Sequence, residues 1–306
     1  MHLMIMHWFF LHLQRLFTDA SALVRGGVIA FLLSFLSGGG ALADSTCVDL
    51  TTVGKTPVTI ASISERAELM LTDGRTIRLS GLAFFDEARA ASAMRDIVHE
   101  TSASLPLISS STDRWGRYSG QIAIIRDGRT ELLAESLVEH GVALMRSDDA
   151  LSFGGGRRAS SVLSAAACLK RLEVLEAEAR RGKRGIWGEP YALPIETNDS
   201  HRLLQLEGQF IVVSGKVISI GERRAMTFLN FGHSWRRDFS VMIARDEWDK
   251  MVREGISAQT LINKRVLVRG NLLVRENALG QKNMEAGIAP LIRLSGARNI
   301  SIMDTD

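Results

Sequence analysis

The sequence predicts a mainly β protein with helices, built as two small barrel-like domains behind a leader. Short runs that alternate apolar and polar residues and are rich in β-branched side chains predict strands. Four longer runs repeat apolar residues every three to four positions and predict helices. Pro190, Pro194 and the polar stretch 196–200 separate two groups of these elements. We therefore expect two domains of ~100–150 residues each.

Residues 1–43 resemble a secretory signal peptide. Arg25 precedes the apolar run Val28–Ser37, and Ala41-Leu42-Ala43 supplies an ending of small residues. The apolar run is shorter than the ~20 residues that span a bilayer. We expect cleavage after Ala43 and export to the periplasm or the medium. The alternative is an uncleaved leader that anchors the protein in a membrane, because residues 1–17 are unusually apolar.

Composition excludes disorder and also excludes nucleic-acid binding by bulk charge. Hydrophobic residues make up 46% of the chain, which supports packed cores. The formal net charge is only +3, too small to steer the protein onto nucleic acid. Any affinity for an anionic ligand must therefore come from local groups of side chains.

The first domain, residues 44–195, combines strands with three helices. Asp73-Gly74 lies between two strand-like runs and predicts a β-hairpin. The expected strands cover Val58–Leu71, Thr76–Leu82, Leu105–Ser109 and Gly120–Arg126, and the expected helices cover Glu87–Glu100, Glu131–His140 and Ala159–Arg181.

The second domain, residues 206–306, shows the element order of an OB-like five-stranded barrel. A predicted helix, Arg245–Glu254, falls between the third and fourth strands, as in that fold. The expected strands cover Phe210–Ile220, Ala225–Asn230, Asp238–Ile243, Arg265–Val274 and Leu291–Met303. A loop with Phe231, Trp235, Arg236 and Arg237 offers a further candidate for nucleic-acid binding, since aromatics among arginines suit stacking and phosphate contact.

Two arginines and a carboxylate form the candidate site of the first domain. Arg78 lies in Arg78-Leu-Ser-Gly-Leu-Ala-Phe-Phe-Asp86, and Arg117 ends Asp113-Arg-Trp-Gly-Arg117. Fixed positive charge stabilises the charge that develops on phosphoryl oxygens during phosphodiester cleavage. Asp86 has two interpretations, a general base or only the N-cap of the helix that follows it.

A third motif follows downstream, Glu176-Ala-Glu-Ala-Arg-Arg-Gly-Lys-Arg-Gly-Ile-Trp187. With these motifs in this order, residues of about 56–190 resemble the thermonuclease (staphylococcal-nuclease-like, TNase-like) family. The resemblance implies a five-stranded OB barrel flanked by three helices. It also implies a calcium-dependent phosphodiesterase acting on DNA or RNA. Arg78 and Arg117 would bind the phosphate, and Asp86 would replace the family's glutamate as general base.

The metal site that the resemblance implies is eroded in this sequence. The family's Asp-Gly-Asp-Thr turn falls on Glu65-Arg66-Ala67-Glu68, which leaves Glu65 as the metal ligand, and Ala83 stands where the family has an aspartate. Calcium takes six to eight oxygen ligands and favours carboxylates. We expect weak or absent hydrolysis and a binding role toward nucleic acid, a nucleotide phosphate or a protein. An active calcium-dependent nuclease is the alternative.

The two cysteines of the chain, Cys47 and Cys168, are expected to form a disulfide in an oxidising compartment. Two buried thiols are the alternative. Closing a loop of this length stabilises by about 4–5 kcal/mol in the chain-entropy model. Peptide mapping without reductant should recover the two cysteine peptides joined. Recovery of two alkylated thiols from the oxidised protein would contradict the pairing.

Overall fold

Strands outnumber helices in the structure, which confirms the predicted class of a mainly β protein with helices. The computed structural model describes residues 56–126, 128–147, 165–190, 193–234, 237–274 and 289–303. These residues all belong to one compact unit, Asp44–Asp306. Among the helices of these ranges, none is long and apolar enough to cross a membrane. The predicted leader and Cys47 lie outside the described residues, so cleavage and the disulfide with buried Cys168 stay predictions.

The first sheet has six strands in the order β1-β2-β3-β6-β5, with β7 beside β6. The predicted hairpin is confirmed, because β2 and β3 pair antiparallel around Asp73-Gly74 and Gly74 takes a φ of +88°. The strands are β1 Ile60–Ile63, β2 Leu69–Leu71, β3 Thr76–Leu79, β5 Ala103–Thr112, β6 Arg117–Arg126 and β7 Arg129–Leu132, while β4 Leu82–Ala83 pairs separately with β8 Leu144–Met145. The helices are α1 Glu87–His99, α2 Leu133–Glu139 and α3 Ala165–Arg181.

The second sheet has eight strands in the order β11-β12-β13-β15-β14-β10-β9, with β16 beside β14. The predicted helix between the third and fourth runs is confirmed as α5. The strands are β9 Ile195–Glu196, β10 Phe210–Lys216, β11 Ser219–Glu222, β12 Met226–Asn230, β13 Ser240–Ala244, β14 Arg265–Val274, β15 Pro290–Leu294 and β16 Ile300–Ile302. The helices are α4 Ser200–Gln205, α5 Arg245–Arg253 and α6 Ala258–Leu261. Both sheets curl into half-barrels that are compatible with OB-like barrels.

The segment predicted as a linker contains structure. β9 pairs in parallel with β10, and α4 follows directly after β9. Side chains from the predicted first domain also lie in the apolar core of the second sheet, namely Ala83, Leu144, Ala179, Ile186 and Trp187. A fragment 206–306 would lack these contacts.

A buried ion pair joins α3 to the second sheet. Glu176 Oε1 lies 2.6 Å from Arg269 Nη1, and the two side chains are only 1% and 7% exposed. The contact falls outside hydrogen-bond geometry, so its attraction is that of an ion pair. Glu176 Oε2 accepts a hydrogen bond from the backbone N–H of Met145 at 2.7 Å, and Arg269 Nη1 donates to the Met145 carbonyl at 3.4 Å. One carboxylate therefore connects α3, β8 and β14.

Arg180, one turn after Glu176 on α3, adds a second cation to this region. Its guanidinium lies 6.0 Å from the centre of the Trp187 ring. Burial lowers the pKa of Arg180, and the charge of Arg269 lowers it further, whereas Glu176 acts in the opposite direction. Glu176 therefore offsets buried positive charge between α3 and the second sheet.

Glu176→Gln is expected to lower the free energy of unfolding by about 3–5 kcal/mol, because it leaves Arg269 buried without its counter-charge. Urea denaturation followed by tryptophan fluorescence measures the change. Glu222→Gln is the matched control, since the Arg245–Glu222 pair is 44% exposed on both sides and exposed pairs contribute about 0–1 kcal/mol. Equal losses in the two variants would contradict the role given to Glu176.

Candidate functional site

A cavity of about 1290 Å³ lies on the outer face of β2 and β3 and continues to the start of β10. Its wall contains charged side chains of both signs and several aromatic rings. The arginines are Arg66, Arg78, Arg89, Arg117 and Arg146, the carboxylates are Glu68, Asp86, Glu87 and Glu189, and the aromatics are Phe84, Phe85, Trp115 and Phe210. Of the residues that the sequence singles out, Arg78, Asp86 and Arg117 line this cavity.

Strand register brings Arg78 and Arg117 to the same face. β3 and β6 run parallel, and Thr76 is the partner of Arg117. Arg78 lies two residues beyond Thr76, and residues two apart on a strand point to the same side. The intervening Ile77 points the other way, into the apolar core, and is fully buried. The two arginines that lie 39 positions apart in sequence therefore face one cavity.

Two carboxylates bind Arg117. Its Nε donates to Asp113 Oδ2 at 2.9 Å, and its Nη1 lies 2.5 Å from Glu68 Oε1. Asp113 Oδ1 also accepts from the backbone N–H groups of Trp115 and Arg117, which closes the tight turn before β6. These hydrogen bonds hold the guanidinium in place, and they also offset part of its charge.

The turn between β1 and β2 places Glu68 rather than Glu65 in the cavity. Ala67 is buried and takes a φ of 57°, and the N–H of Glu68 donates to Ser64 Oγ at 3.1 Å. Glu68 and Met70 then share the cavity face, while Leu69 between them is buried in the core. Glu65, the residue predicted as a metal ligand, is exposed and is not part of the cavity wall.

Asp86 is the N-cap of α1. Its Oδ1 accepts a hydrogen bond from the backbone N–H of Arg89 at 2.9 Å, which satisfies one of the unpaired donors at the start of the helix. The side chain is exposed and also borders the cavity. The N-cap interpretation of Asp86 is therefore confirmed, and the general-base interpretation stays a prediction. The capping bond occupies one of the two carboxylate oxygens. Ala83, nearby on β4, is buried in the second core and has no side-chain oxygen to offer a metal.

Trp115 supplies an exposed aromatic ring at one end of the cavity. The side chain is 63% exposed, and the guanidinium carbons of Arg114 and Arg117 lie 3.9 Å and 4.7 Å from its centroid. From the sequence, the aromatic residues Phe231 and Trp235 were singled out for stacking, and Trp115 was missed. The alternative loop with Phe231 packs that ring against Phe239 at 5.2 Å, and Trp235 and Arg236 of the same loop lie outside the described residues.

The cavity residues do not fit a calcium site. Of the four carboxylates in the wall, Glu68 is bound to Arg117, Glu189 forms an ion pair with Arg89, and Asp86 caps α1. Among the described residues, Glu87 is the one that remains, and a single carboxylate is too few. Calcium requires six to eight oxygens, mainly from carboxylates that are available for coordination. Across the ranges that the structure describes, no group of three or more His, Cys, Asp or Glu side chains is arranged to hold a metal ion.

No protein-family model and no curated protein matches this chain. The resemblance to thermonucleases therefore rests on the quoted residues. Sequence reasoning missed Glu68 and the contributions of Arg66, Arg89 and Arg146 to the cavity. The alternation of side chains along β2 could have predicted the position of Glu68. Leu69 is buried and Met70 is exposed, so Glu68, two residues before Met70, faces the same side as Met70.

Asp113 is expected to titrate with a pKa of about 2, below its ordinary value of 3.8, because its hydrogen bond with Arg117 favours the ionised carboxylate. A lowered folded-state pKa stabilises the fold above the unfolded pKa, near 3.8, and this contribution is lost as the pH falls through about 2. Arg117→Ala should raise the Asp113 pKa toward 3.8 in a carbon-detected NMR titration. Asp73, whose pKa is lowered by Arg75, is the internal control and should not change. An unchanged Asp113 midpoint in Arg117→Ala would show that another group is responsible.

Proposed function

We propose that this protein is an exported thermonuclease-type domain pair whose cavity binds the phosphodiester backbone of single-stranded nucleic acid, with little or no hydrolysis. The observation that carries the proposal is that Arg78 and Arg117 share one cavity face, while Glu68, Asp86 and Glu189 are bound to other groups. The curled first sheet and its flanking helices are compatible with a thermonuclease-type barrel.

A phosphate is the proposed ligand because Arg78 and Arg117 face the cavity. Guanidinium groups bind phosphate oxygens through paired, charge-assisted hydrogen bonds. Arg117 is held in position by Asp113, so little side-chain entropy is lost when it binds a ligand. Trp115 adds a ring on which an unpaired base can stack, and stacking contributes about 1–3 kcal/mol per base.

The carboxylates account for the low hydrolysis. A general base must reach the water that it activates, and the Asp86 side chain is shorter than a glutamate and caps α1. Glu68 offsets the charge of Arg117 that transition-state stabilisation would require. The implied calcium ion lacks a set of available oxygen ligands, so the proposal includes no metal-dependent step.

Arg78→Ala and Arg117→Ala are each expected to lower the affinity for a fluorescent single-stranded oligonucleotide by about tenfold or more, since each removes a charge-assisted contact. Fluorescence anisotropy at fixed salt measures the affinity. Arg224→Ala is the control, because this exposed arginine between β11 and β12 carries the same charge and is not part of the cavity wall. Equal losses in all three variants would mean that binding reflects net charge alone.

Glu68→Gln provides the opposite change at the same position. It removes the negative charge beside Arg117 while keeping the size of the side chain. The affinity should therefore rise severalfold. A lower affinity in Glu68→Gln would contradict phosphate binding at Arg117, and cleavage that appears only with calcium would favour the nuclease alternative.

A further inference from the structure

The cavity does not end at the first domain. Gly208, Gln209, Phe210 and Asn271 of the second domain form part of its wall. Phe210 and Asn271 are direct partners in the antiparallel pair β10–β14, and Gln209 immediately precedes Phe210. The backbone here is fixed, because Gly208 N–H donates to the Leu272 carbonyl at 2.8 Å and Leu272 N–H donates to the Gln209 carbonyl at 2.9 Å.

The two amide side chains at this end are available to a ligand. Gln209 and Asn271 are both exposed, and within the described part of the chain neither side-chain amide has a hydrogen-bond partner. Each amide offers donors and an acceptor without charge. This chemistry matches the edge of an unpaired base, which presents donors and acceptors side by side.

Arg146 connects the two ends of the cavity. It directly follows β8 of the first domain, and its backbone N–H donates to the Gly81 carbonyl at 2.8 Å. Its guanidinium carbon lies 5.3 Å from the centroid of the Phe210 ring in the second domain. The positively charged side chain of Arg146 therefore lies between the arginines at one end of the cavity and the amides of Gln209 and Asn271 at the other.

The cavity is large enough for a ligand longer than one nucleotide. Its volume of about 1290 Å³ exceeds the ~300–1,000 Å³ that typically holds one drug-sized molecule. The charges also change along it, from arginines and Trp115 at one end to neutral amides at the other. A linear chain that repeats phosphate and base fits such an alternation better than a single compact anion does.

We propose that the second domain supplies a further subsite, at which Arg146 contacts a backbone phosphate and Gln209 and Asn271 hydrogen-bond the edge of a neighbouring base. The ligand is then a single-stranded oligonucleotide that extends across both domains. This inference rests on the proposed phosphate binding at Arg78 and Arg117, and it adds the length of the ligand and the role of the second domain.

Affinity as a function of ligand length tests the subsite. Oligodeoxyadenylates from a mononucleotide to an octanucleotide are titrated against the wild-type protein and the double variant Gln209→Ala/Asn271→Ala. We expect the wild-type affinity to increase along the series. The double variant should bind the mononucleotide as the wild type does but the octanucleotide about tenfold more weakly. Thermal unfolding of both proteins verifies that the variant is folded.

The outcomes separate the inference from the proposed function. The subsite would be overturned, and phosphate binding left intact, if the wild-type protein bound all lengths with equal affinity. The same conclusion would follow if the double variant lost equal affinity for short and long ligands. Failure to bind any oligonucleotide would overturn both. Tighter binding of a poly-glutamate peptide than of the octanucleotide would identify an acidic protein segment as the ligand and would also overturn the subsite.

Discussion

The buried pair between Glu176 and Arg269 is the interaction on which the arrangement of this protein depends. It links α3 to β14, and through the backbone of Met145 it also includes β8. The cavity wall includes residues of β2 and β3 and of the start of β10, so its shape depends on how the two sheets pack. Removing one partner would leave the other charge buried and uncompensated, which is strongly destabilising.

Charge compensation within the cavity determines what the cavity can do. Arg117 is bound by Asp113 and Glu68, and Arg89 is paired with Glu189. Such pairing orients the guanidinium groups but reduces the net positive potential that a ligand meets. The cavity wall that results is weakly cationic, with five arginines and four carboxylates. These properties suit reversible recognition of a phosphate chain, with affinity assembled from several modest contacts, better than they suit stabilisation of a highly charged transition state.

Local signals in the sequence predicted the elements, whereas the site depended on contacts between distant segments. Asp73-Gly74 predicted a hairpin because its turn chemistry is local, and Asp86 marked the start of α1 for the same reason. The turn at Ala67 was missed, since a positive φ at a non-glycine residue has no simple sequence signal. That turn divides the expected strand 58–71 and decides that Glu68 faces the cavity. Gln209 lies in the same cavity wall as Arg78 and Arg117 because of how the two sheets pack. The spacing of apolar residues in the sequence does not encode that packing.

The central claim is that the cavity binds a phosphodiester chain and leaves it intact, without a requirement for calcium. Its most direct test is one experiment in which a labelled single-stranded oligonucleotide is incubated with the protein, once with calcium and once with a chelator. Binding and the length of the recovered strand are measured in the same samples. The account predicts equal affinity under both conditions and recovery of the full-length strand. Cleavage in the calcium sample alone, abolished by Arg78→Ala, would contradict it.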